Sequence, residues 1–106
     1  MTAKVRVPRY PIALGGWRGQ LEIAGDVLHV TGEDPANRLE VDCGQVKRFS
    51  FNSNSGLWAF RMKDGKKLYL QTSGLLMSAD RTEAGSVATA SIGELLANKG
   101  VPGLLS

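Results

Sequence analysis

The sequence predicts a mainly β domain, an antiparallel barrel or split barrel of about seven strands capped by one C-terminal α-helix. Between Trp17 and Thr72, apolar and polar residues alternate in short runs, the period-two pattern of half-buried strands. Turn residues part the runs, among them Gly25-Asp26 and Asp64-Gly65, which suit tight hairpins. Near the C-terminus the period changes, and Ala88, Ile92, Leu95, Leu96 and Lys99 fall on one helical face.

Taken in order, Lys4-Val5-Arg6-Val7 is a short run that stops at Pro8, with Pro11 close behind. Proline lacks a ladder N–H, so this run reads as an edge strand or an arm. Trp17 to Ala24 and Val27 to Thr31 form a hairpin around Gly25-Asp26. The polar cluster 32–37 leads to a run from Arg38 to Cys43, in which Leu39, Val41 and Cys43 share a face. From Val46 to Phe51 the phase breaks, because Val46 and Phe49 are three apart; a β-bulge near Lys47-Arg48 would place Val46, Phe49 and Phe51 on the core side.

After the turn residues 52–56, Leu57 to Lys63 alternates most clearly, with Trp58, Phe60 and Met62 on one face, and Lys66 to Thr72 returns from Asp64-Gly65. Leu75-Leu76-Met77 fits either a buried short strand or a loop pinned to the core. A helix follows over 86–99, with Ser86 as N-cap and with Gly100 and Pro102 as stop signals, and 101–106 reads as a loosely held tail.

The 106 residues suit one domain with one hydrophobic core. Within it, 1–15 is the arm or edge strand, 16–72 the meander and 86–99 the capping helix. With 42% hydrophobic and 22% charged residues, and no apolar run of the roughly 18 residues a membrane span needs, the composition is that of a soluble domain. The first residues lack a signal-peptide core, so a cytoplasmic location is expected. The single Cys43 and single His29 supply no disulfide and no Cys/His metal set. Cys43 is expected as a small buried apolar side chain and His29 as a solvent-facing strand residue. There is no nucleophile elbow, no phosphate-cradling glycine loop and no histidine placed beside a nucleophile, so neither an enzyme nor a cofactor is expected.

The net charge of +3 conceals two poles. Residues 1–20 carry Lys4, Arg6, Arg9 and Arg18 and no acid, and 45–70 carry Lys47, Arg48, Arg61, Lys63, Lys66 and Lys67 against Asp64 alone. Residues 21–44 carry Glu22, Asp26, Glu33, Asp34, Glu40 and Asp42 against Arg38. If Trp58, Phe60 and Met62 point inward, Arg61 and Lys63 point outward beside Lys67 and Tyr69, forming one basic patch. Such a patch suits a nucleic acid or an acidic membrane, and opposite poles also allow self-association.

The order of elements resembles the pleckstrin-homology-like (PH-like) barrel, a meander of about seven strands closed by one C-terminal helix. The likeness is carried by Gly16 to Ile23 leading into Gly25-Asp26-Val27-Leu28, by Val46-Lys47-Arg48-Phe49, and by Gly56 to Met62 with Asp64-Gly65-Lys66-Lys67. It looks like the small bacterial PH-like domains and extends over 16–99. The resemblance implies a non-catalytic binding or scaffolding module. Protein-protein interaction or self-assembly is the first expectation. Anion binding through Lys47, Arg48, Arg61, Lys63, Lys66, Lys67 and Tyr69 is the second. Phosphoinositide-binding members carry cations around the first strand-strand loop, where this chain has the short acidic hairpin Ala24-Gly25-Asp26.

Overall fold

The computed structural model describes residues 2–9 and 15–106. Among the described residues, eight strands form one open sheet: β1 (Thr2–Val7), β2 (Trp17–Ala24), β3 (Val27–Gly32), β4 (Arg38–Asp42), β5 (Val46–Asn52), β6 (Leu57–Met62), β7 (Lys67–Gln71) and β8 (Gly103–Leu105). Their order across the sheet is β4-β3-β2-β1-β7-β6-β5-β8. One helix, α1 (Glu83–Asn98), lies between β7 and β8 in sequence. The architecture is a split barrel capped by a helix.

The sheet has two antiparallel halves, β1 to β4 and β5 to β7, joined at a narrow seam where β1 meets β7 through the single registered pair Arg6 and Gln71. Their inner faces share one core. Leu21, Leu28, Val30 and Val41 from the first half, and Trp58, Phe60 and Leu70 from the second, are buried together with Ala88, Ile92 and Leu96 of α1. The expected helical face is therefore the one that packs inward, and Leu95 is half-buried beside it. Phe49 and Phe51 flank Trp58 with ring centroids at 5.7 and 4.3 Å, and Phe60 stacks on Trp58 at 6.0 Å. The register shift between Val46 and Arg48 is the expected bulge, and it turns Val46, Phe49 and Phe51 toward this cluster.

Four expectations are corrected. The run around Lys4 is an interior strand, flanked by β2 and β7, because its partners come from distant parts of the chain; Pro11 lies outside the described residues. The helix begins at Glu83 after an extended Thr82, so its N-cap lies four residues before the expected Ser86. Leu75 and Leu76 are 83% and 81% exposed, so the segment is neither a buried strand nor docked through its side chains. Its backbone is pinned instead, by Leu75 N–H to Ser53 C=O and Leu76 N–H to Asn54 C=O. The tail is not loose: β8 pairs in parallel with β5, and Ser53 donates through both its N–H and its hydroxyl to the Ser106 carbonyl.

Gly103 is required at the start of β8, since a Cβ there would stand 2.2 Å from the Phe49 ring. Gly65 closes the β6–β7 turn at φ +91°, in the left-handed region that other residues adopt only with strain. No helix among the described residues is long and apolar enough to cross a membrane.

Candidate functional site

Alternation sends one set of side chains of each strand into the core and the other set outward. On the outer face of β5, β6 and β7 the registers place Arg48 opposite Arg61, and Arg61 opposite Lys67. Three cations thus stand in one cross-strand row. Adjacent strands lie about 4.8 Å apart, so the row spans about 10 Å between its end Cα atoms. One step along the strands, Leu104 of β8, Ser50, Ala59 and Tyr69 form a second row of small and apolar residues.

The two rows line an open hollow of about 570 Å³, bounded by Arg48, Ser50, Ala59, Arg61, Lys67, Tyr69 and Leu104. Arg48, Arg61 and Lys67 are exposed, Tyr69 is half-buried and Leu104 is 70% exposed. None of the three cations has an ion-pair partner among the described residues. Like charges directly opposite on neighbouring strands repel, so the row opposes folding by its own charge. It can hold an extended anion, and the adjoining row offers a floor for apolar side chains.

The remaining basic residues lie elsewhere. β6 ends at Met62; Lys63 follows it, its N–H donating to the Gln45 carbonyl at 2.8 Å, and it does not line the hollow of Arg48, Arg61 and Lys67. With Lys47, the residue displaced by the bulge, it lines a separate hollow beside Cys43, Lys99 and Pro102. Lys66 sits in the β6–β7 turn, where its N–H donates to Asp64 Oδ1 at 2.9 Å, and it lines neither hollow. Sequence reasoning missed Leu104, because nothing local to 101–106 signals a strand that pairs with residues some fifty positions earlier.

Cys43 is buried, in a single turn of 3-10 helix (Cys43–Gln45), and its thiol is pushed up to about 11, first by burial and then by Asp42 and Asp26. That is the chemistry of an inert packing residue. His29 is partly exposed on the outer face of β3, with Nδ1 3.8 Å from Glu40 Oε1. At the β2–β3 turn, Asp26 is 2.6 Å from the Lys99 ammonium, tying that hairpin to the end of α1.

No protein-family model matches the chain, and neither does any curated protein. Among solved structures, the fold is similar to Inner Membrane Complex Sub-compartment Protein 3 (ISP3) from Toxoplasma gondii. The TM-score is 0.54 and the identity 12%, with 94% of this chain and 76% of that chain covered. At that identity the likeness is one of fold.

Proposed function

We propose that this chain is a non-catalytic PH-like binding module of the small bacterial type, which docks an acidic protein partner on the outer face of β5, β6 and β7. The observation that carries the reading is the row Arg48, Arg61 and Lys67, without a facing carboxylate among the described residues, set beside the apolar strip of Ala59, Tyr69 and Leu104. A carboxylate-bearing segment would relieve the repulsion within the row, and its apolar side chains would cover Leu104 and Ala59. The lining is built of cations, hydroxyls and apolar groups, an inventory suited to binding and lacking a general base. A cytoplasmic site of action goes with this reading.

A second reading, a nucleic acid or acidic membrane on the same cations, is favoured by Tyr69, whose ring lies beside Lys67 and offers a stacking surface for a base. Fluorescence anisotropy at low salt with a labelled Glu- and Leu-rich peptide and with a single-stranded oligonucleotide separates the two, together with pelleting on phosphatidylserine vesicles. Peptide binding that drops about tenfold in Arg61→Glu supports the first reading. Binding of only the oligonucleotide or the vesicles transfers the assignment to the second. No binding of any probe removes this face as the docking surface.

A further inference from the structure

The acidic pole forms a surface that mirrors the basic one. On the outer face of β2, β3 and β4 the registers place Glu22 opposite His29 and His29 opposite Glu40. One step along, Ala24, Val27 and Asp42 make the next outward row. We propose that the partner of the β5–β7 face is the β2–β4 face of a second copy of this chain, so that molecules associate head to tail. The proposal rests on the docking reading above and names its ligand.

The match is one of spacing as well as sign. Each charged row lies across three adjacent antiparallel strands, so Glu22 and Glu40 stand as far apart, about 10 Å, as Arg48 and Lys67. Laid face to face, both end cations meet a carboxylate, and the central Arg61 meets the His29 imidazole, an acceptor in its neutral form. Carboxylates occupy both ends of the acidic row, so either end-to-end sense satisfies it. One of the two senses also brings the neighbouring rows together: with β2 over β7 and β4 over β5, Ala24 lies on Tyr69, Val27 on Ala59, and Asp42 beside the Ser50 hydroxyl.

Register is fixed by what flanks the acidic row. On its other side the outward row is Gln20, Thr31 and Arg38, so a slip of two residues in that direction would bring Arg38 over a cation and two uncharged residues over the others. Asp26 is already held by Lys99 and stays out of the contact. The two faces belong to the two halves of one sheet whose inner faces share a core, so they point away from each other. A contact between unlike faces does not close at two copies, and it propagates into a chain.

Sedimentation velocity at pH 8, in about 50 and about 500 mM salt, tests this. Wild-type protein is expected to sediment as concentration-dependent oligomers at low salt and as monomer at high salt. The double variants Glu22→Lys/Glu40→Lys and Arg48→Glu/Arg61→Glu should each be monomeric alone, with unchanged far-UV circular dichroism. Mixed in equal amounts, they should associate again, because each supplies the face the other has lost. A wild-type monomer at low salt would overturn the proposal, as would oligomers that survive both reversals or a mixture that stays monomeric. Peptide binding at Arg61 would leave the docking reading standing in each of those cases.

Discussion

The indole Nε1 of Trp58 donates to the hydroxyl of Thr72 across 2.9 Å, and Thr89 of α1 lies 2.9 Å from that same hydroxyl. One threonine at the end of β7 thus satisfies the largest core side chain and links it to the helix that covers it. The Thr72 hydroxyl also lies 3.4 Å from the Gly56 carbonyl; Trp58, Thr72 and Gly56 are buried and Thr89 is half-buried. Thr72→Val keeps the shape but leaves the indole N–H without a partner in a dry core. The expected loss is about 1–3 kcal/mol in urea denaturation, with the slope unchanged. An effect below about 0.3 kcal/mol would mean the bond contributes nothing net.

Asp80 joins the start of the helix to the first strand. Its carboxylate accepts from the Lys4 N–H at 3.0 Å, from the Thr82 N–H at 2.9 Å and from the Thr82 hydroxyl. Those bonds, the Thr82 hydroxyl first, hold its pKa below the ordinary carboxylate value. A group depressed in the folded state contributes stability above its unfolded pKa, and that contribution fades as pH falls through the folded value. At pH 7 Asp80→Asn should therefore melt below wild type, and the gap between them should close as pH falls beneath about 3.9. Parallel melting curves of the two proteins across that interval would show that the bonds do not depend on the charge.

Cys43 should behave as a masked thiol. With its pKa pushed up to about 11 and its side chain buried, little thiolate exists at pH 8. Reaction with an aromatic disulfide reagent is expected to be roughly 100-fold slower in buffer than in denaturing urea. Equal rates would place the thiol in solvent.

The basic row makes the opposite kind of prediction, in which removing a residue strengthens the fold. Arg61 stands between Arg48 and Lys67 with a cation on either side. Arg61→Thr keeps a good strand former and relieves both repulsions, so stability should rise by about 0.2–1 kcal/mol, more at low salt than at high. A decrease at low salt would show that the guanidinium stem packs on the sheet more than its charge disturbs it.

What the sequence determined by itself was everything set by neighbours in the chain. The alternation from Leu57 to Met62 fixes which of Trp58, Ala59, Phe60 and Arg61 face inward, and the glycine-bearing turns fix the hairpins. The missing phase between Val46 and Phe49 locates the bulge, and the 3.6 spacing of Ala88, Ile92 and Leu96 fixes the buried face of the helix. Tertiary structure alone decided matters of long-range register. It put β1 inside the sheet, recruited Gly103 to Leu105 as an eighth strand, and placed Lys63 in a different hollow from Arg61 and Lys67. It also set Arg48 opposite Arg61, beside the Lys67 that the hairpin already supplied, because the exact register across the bulge depends on how β5 packs its apolar side chains over the shared core.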